Sequence, residues 1–169
     1  MSTASDPVGQ APDAESARPV EADLGTDAPD SSEPSHEPGP EHEVSVLLYS
    51  DDVDVRTAVK LAVGRRPAAD LPPVRWTEVA TPAAAVAAVD AGGLDVLVLD
   101  GEAVPAGGMG LCKQLKDEIF ECPPVLVLTG RPADAWLATW SRADLAVPHP
   151  LDPAELCEAV ATLARHRLG

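Results

Sequence analysis

Cysteine is scarce in this chain, and its placement excludes two kinds of framework. The three Cys, Cys112, Cys122 and Cys157, fit no zinc spacing of paired C-x-x-C type. An odd number also argues against a disulfide scaffold, so reduced and mostly packed cytosolic thiols are expected. Lysine is equally scarce, with only Lys60, Lys113 and Lys116, and none beyond Lys116. Long apolar runs are missing too. Four-residue stretches such as Val96–Leu99 and Val125–Leu128 are strand-sized, far short of the roughly 18 residues of a membrane span. The N-terminus has neither a basic patch nor an apolar stretch, so no signal peptide is expected there.

Positive charge is outweighed throughout. The formal net charge is −16, and residues 1–43 hold eleven acidic residues against a single Arg. A negative surface repels phosphate backbones, which excludes nucleic acid and anionic membrane as favoured partners. What is present in quantity is aliphatic. Forty-five per cent of the 169 residues are hydrophobic, enough for one core.

Residues 1–42 are rich in Pro, Ser, Ala and acid and hold almost no large apolar residue, so they cannot offset their ordering entropy. They read as a disordered tail, serving as a solubilising or partner-tuning arm or as a passive extension. Residues 43–169 read as the folded domain.

Within that domain strands alternate with helices. Val44–Tyr49 is an apolar strand. Asp52–Arg65 is helical, with Val55, Ala58, Val59, Ala62 and Val63 on one stripe. Val74–Ala80 is the second strand, and Trp76 on it belongs to the core or to a sheet edge. Thr81-Pro82 is an N-cap with Pro at the first helical position, opening an Ala-rich helix that ends near Gly92-Gly93. Strands at Leu94–Asp100 and Pro124–Thr129 flank a helix over Gly110–Phe120. A short helix over Ala133–Ser141 and a strand at Leu145–Pro148 follow. Asp152-Pro153-Ala154-Glu155 resembles a capping box and opens the last helix, with Leu156, Ala159, Val160 and Leu163 on one stripe. Continuous apolar strands with helical crossovers predict an α/β, doubly wound, five-stranded parallel sheet covered on both faces.

In such sheets the site lies at the carboxyl ends of the strands. Polar clusters fall there at Ser50-Asp51-Asp52, Asp100-Gly101-Glu102, Thr129-Gly130 and His149. Two carboxylates from neighbouring strand ends can share Mg²⁺, which prefers hard oxygens and retains waters. One carboxylate can then attack a phosphoryl group, with a Thr hydroxyl on its oxygens. Asp51, Asp100 and Thr129 fit that chemistry, although Asp52 and Thr129 could equally be simple helix caps.

These segments, taken in order, resemble a response-regulator receiver (CheY-like) domain over residues 44–166. Val46-Leu47-Leu48-Tyr49-Ser50-Asp51-Asp52 is similar to the first strand and acidic loop of that family. Asp95–Asp100 is similar to the strand that ends in the phosphoacceptor, and Pro105–Leu115 to the loop and helix after it. Pro124–Gly130 resembles the strand carrying the switch Thr, and Ala143-Asp144 with Pro150–Leu156 the family's ending. The composition, rich in Ala, Pro and Arg, also resembles that of a high-GC actinobacterium.

The resemblance implies strand order 2-1-3-4-5 and a role in two-component signal transduction and phosphorelay. It implies Asp100 as phosphoacceptor, Thr129 as switch hydroxyl, and Asp51, Asp100 and the Glu102 backbone carbonyl as metal ligands. Departures from the pattern are equally specific. Ser50 replaces one carboxylate of the acidic pair, so Mg²⁺ binding should be weak. His149 replaces the family Lys, and Ala146 the aromatic switch residue. The expectation is a cytoplasmic, non-enzymatic atypical or pseudo-receiver with no output domain. It would act through a protein partner, with residual phosphorylation of Asp100 and a sensor kinase as further possibilities.

The partner face should be the last two helices, with Trp136 and Trp140 as anchors. The competing expectation buries both Trp in one stripe with Ala133 and Leu137. Two rival functions remain: a phosphoaspartate-forming hydrolase of the haloacid-dehalogenase type, and a flavodoxin-like ligand-binding domain. The first requires a later Lys, and none lies beyond Lys116; the second requires a Gly-rich phosphate loop after Tyr49, which is not in the sequence.

Overall fold

The computed structural model describes residues 42–169. The expected tail, apart from His42, lies outside the described residues. Five strands alternate with helices: β1 Val44–Tyr49, α1 Val53–Val63, β2 Val74–Val79, α2 Pro82–Asp90, β3 Val96–Asp100, α3 Gly108–Glu118, β4 Val125–Thr129, α4 Ala135–Trp140, β5 Leu145–Pro148 and α5 Pro153–Leu168. A single 3₁₀ turn, Pro132–Asp134, precedes α4. The strands form one parallel sheet in the order β2-β1-β3-β4-β5. This is the predicted topology.

The sheet separates two cores, because successive strand side chains point to opposite faces. Val46 and Leu48 of β1 join Val96, Val98, Leu126 and Leu128 against Val59 of α1 and Leu156 and Val160 of α5. Leu47 and Tyr49 join Leu97, Leu99, Val125 and Val127 against Ala85 of α2 and Leu111 and Leu115 of α3. All six residues of β1 and all five of β3 and β4 are buried. Strands apolar on both faces are what a doubly covered parallel sheet requires.

Three helices start where side-chain oxygens meet their orphan amides. Asp52 Oδ1 accepts from Asp54 N at 2.7 Å, Thr81 Oγ1 from Ala84 N at 3.2 Å, and Asp152 Oδ1 from Glu155 N at 2.8 Å. Pro82 and Pro153 follow their caps directly. Helix α3 begins two residues earlier than the sequence predicts, at Gly108. A Cβ there would lie 2.6 Å from the Asp100 carbonyl oxygen, so only Gly lets α3 approach the end of β3 this closely.

The short α4 departs from one expectation. Trp136 and Trp140 are exposed, at 66% and 56%, and the residue buried on this helix is Ala138. The expected buried stripe of Ala133, Trp136, Leu137 and Trp140 does not form, because six residues make fewer than two turns and pack through Ala138 and the following Ser141. Trp76 is half-buried on the edge strand β2 and packs against the α1–α5 core. The cysteines are free, with Cys112 buried and the other two half-buried. Burial pushes the Cys112 thiol up to about 11. No helix among the described residues is long and apolar enough to cross a membrane.

Candidate functional site

The carboxyl ends of β1, β3, β4 and β5 meet at one end of the sheet, where Asp51, Asp100, Thr129 and His149 were expected. Asp51, Asp52, Val55, Asp100, Glu102, Gly130 and His149 line a cleft of about 410 Å³ there. Thr129 is at the end of β4, buried, and its carbonyl accepts from His149 N at 2.7 Å. That bond fixes His149 to the neighbouring strand end. Thr129 does not cap a helix; Arg131 occupies that position before the 3₁₀ turn. Asp52 does cap α1, and it borders the cleft as well.

Asp100 is 2% exposed and held on both oxygens. Its Oδ1 accepts from Glu102 N at 2.9 Å, and its Oδ2 accepts from the Ser50 hydroxyl at 2.7 Å. Ser50 is itself fixed: its Oγ accepts from Asp52 N at 3.1 Å, and its carbonyl accepts from Arg56 Nη1 at 2.6 Å. A neutral hydroxyl therefore stands against Asp100 where a second carboxylate would repel it. Asp51 Oδ1 accepts from Val104 N at 3.2 Å, tying β1 to the loop after β3. Glu102 folds over Gly130, whose missing Cβ would fall 2.5 Å from Glu102 Oε1. Sequence reasoning missed Tyr49, whose hydroxyl donates to the Ala106 carbonyl at 2.6 Å. Burial, and then the charges of Asp51 and Asp100, push the Tyr49 hydroxyl above its ordinary range, so it remains a protonated donor.

Among the described residues no Lys or Arg lines the cleft. The three lysines are engaged elsewhere, Lys60 with Glu78, Lys113 with Asp117 and Lys116 with Asp144. Arg56 lies outside the cleft and pairs with Glu78 at 3.4 Å. A divalent cation at this end of the sheet would meet the carboxylates of Asp51 and Asp100. Hard oxygens beside an open cleft fit Mg²⁺ that keeps most of its waters. Among the described residues no three Asp, Glu, His or Cys side chains converge as a metal cluster.

No protein-family model matches the chain. An uncharacterized response regulatory protein of Mycobacterium tuberculosis, recorded in two strains, is 55% identical over 120 residues, which is 71% of this chain and 90% of the relative. The actinobacterial source of these relatives agrees with the composition. The receiver domain of Francisella response regulator 1452 shares the fold with a TM-score of 0.63 at 20% identity, over 73% of this chain and 98% of that one. A CheY-like receiver domain protein from Methanospirillum hungatei shares it with a TM-score of 0.60 at 15% identity, over 75% and 98%. With the two-faced parallel sheet, the acidic strand ends and relatives that it covers almost completely, this chain belongs to the response-regulator receiver family of two-component signalling.

Proposed function

We propose that this chain is an atypical receiver that signals through protein contact, with phosphorylation of Asp100 dispensable. The observation that carries this reading is the charge inside the cleft. Among the described residues four acidic ones, Asp51, Asp52, Asp100 and Glu102, line it with His149 and no Lys or Arg.

Asp100 would be the phosphoacceptor, with one carboxylate oxygen attacking phosphorus, and the Thr129 hydroxyl would meet a phosphoryl oxygen. Asp51, Asp100 and the Glu102 carbonyl would hold Mg²⁺, whose charge would offset that of the phosphoryl oxygens. Two features of this chain oppose the reaction. Ser50 donates to Asp100 Oδ2 and so withdraws electron density from one of the two oxygens that could attack. His149 stands where the family pattern has Lys, and a short, planar imidazole does not reproduce a compact ammonium on a flexible four-carbon stem. Ala146, half-buried in β5, has no ring to swing between states. Coupling from Asp100 to α4 and α5 is accordingly weak.

The contact face in this reading is α4 with α5. The exposed Trp136 and Trp140 are large, rigid anchors of the kind that dominate interfaces. Receiver domains work with kinases and other proteins, and in this reading the chain does so in the cytoplasm.

Intact-mass spectrometry after incubation with acetyl phosphate and Mg²⁺ tests the reading, beside an Asp100→Ala control. We expect no phosphoryl adduct on the wild-type chain, and an adduct on the Ser50→Asp/His149→Lys double variant. A wild-type adduct that disappears in Asp100→Ala would instead make this a working receiver.

A further inference from the structure

We propose that Tyr49 is a positioning residue of the cleft, latching the loop over residues 101–107 to the end of β1. Tyr49 is the only Tyr in the chain, its side chain is fully buried, and it does not line the cleft itself. Its ring packs in the core under α2 and α3, and its hydroxyl reaches across to the Ala106 carbonyl. The loop it holds carries Glu102, which lines the cleft, whose N–H is on Asp100 and whose carboxylate covers Gly130.

Apolar burial does little to fix this loop. It is built from Gly, Glu, Ala, Val and Pro; Ala103 is its one buried side chain, and Val104 is 65% exposed. Little area is removed from water, so polar ties decide where the loop sits. Two of them come from β1 and the turn after it: Tyr49 to Ala106 at 2.6 Å and Val104 N to Asp51 at 3.2 Å. Asp51 is exposed, so water competes for its bond. The Tyr49 side chain has no exposed surface and its acceptor Ala106 is half-buried, so this hydrogen bond meets less competition from water and losing it costs more. Of the two ties, the Tyr49 bond is the stronger constraint.

Tyr49→Phe keeps the ring and removes only the donor. Hydrogen exchange of the full chain, followed by mass spectrometry, should show peptides spanning residues 101–108 exchanging about fivefold faster, with β4 and α5 unchanged. That factor is what loss of one net hydrogen bond of about 1 kcal/mol produces. Asp51→Ala should accelerate the same peptides by a smaller factor. The Glu102 amide resonance, set by its bond to Asp100, should move in Tyr49→Phe. It should stay in place in Val160→Ala, which weakens the opposite core without touching the loop. Loop exchange unchanged in Tyr49→Phe would overturn the latch. So would acceleration of loop and β4 by one common factor, or a Glu102 resonance that moves equally in Val160→Ala. None of these readouts involves phosphorylation, so they stand apart from the test of function above.

Discussion

The Ser50 hydroxyl donates to Asp100 Oδ2 at 2.7 Å, with both residues shielded from solvent. A hydrogen bond to a carboxylate is worth about 1.5–3 kcal/mol, and a buried acceptor left without its donor costs a similar amount. Ser50→Ala should therefore lower stability by about 2 kcal/mol. Urea denaturation measures this directly, and an unchanged midpoint would mean that water replaces the hydroxyl.

Ser50→Asp has the opposite chemistry. It places a second carboxylate against Asp100, and like charges at hydrogen-bond distance repel. We expect this variant to melt below wild type without Mg²⁺ and to recover as Mg²⁺ is added, since an ion bound only by the folded state stabilises it. The wild-type melting temperature should barely respond over the same titration. A large wild-type shift at low Mg²⁺ would show that Asp51, Asp100 and the Glu102 carbonyl bind tightly as they are.

Gly108 is where α3 meets β3. An added Cβ would sit 2.6 Å from the Asp100 carbonyl oxygen and 2.8 Å from the Asp100 and Leu99 carbonyl carbons, all of it rigid backbone. Gly108→Ala should destabilise the domain by about 1–3 kcal/mol, the usual range for overpacking. Gly110→Ala on the same helix meets nothing within 4 Å and should be neutral or slightly stabilising. Equal melting temperatures for the two variants would contradict this packing.

Asp70 takes a two-pronged bond from Arg165, at 2.9 and 3.0 Å, joining the loop before β2 to α5. The Arg165 hydrogen bonds hold the Asp70 carboxyl at about 2, below its ordinary 3.8. A carboxyl whose pKa is depressed by folding contributes stability above its unfolded value and loses it as pH falls through the folded value. The stability difference between wild type and Asp70→Asn should thus be constant above about pH 5 and shrink as pH falls from 3.8 toward 2. It should also be small, because the pair is exposed and screened by water. A difference that grows on acidification would reverse the assignment.

Trp136 and Trp140 are exposed, so truncating both should change stability by no more than about 0.5 kcal/mol. A loss of several kcal/mol in chemical denaturation would show that they pack against the domain. If they instead serve a partner, the double variant should melt normally and fail to bind it.

The order and type of every strand and helix were legible from residues 43–169, because each has its own local signature. Period-3.6 stripes marked α1 and α5, caps marked Thr81 and Asp152, and four-residue aliphatic runs marked β3 and β4. The four strand-end clusters were legible too, since a parallel sheet sends all its carboxyl ends to one side. What those clusters do to one another was not. Ser50 meets Asp100 across 50 residues of sequence, and Tyr49 meets Ala106 across 57. Nothing local in Ser50 says that its hydroxyl will face a buried carboxylate, and nothing in Tyr49 says that its ring will be buried while its hydroxyl holds a loop. The exposure of Trp136 and Trp140 was likewise decided by tertiary packing, which goes through Ala138 of their helix and Ser141 after it. Sequence alone determined the strands and helices and the end of the sheet where the acidic cleft lies, because periodicity and capping act within a few residues. Tertiary structure decided which oxygen, hydroxyl and indole face one another, because those distances exist only once β1, β3 and the loop between β3 and α3 lie side by side.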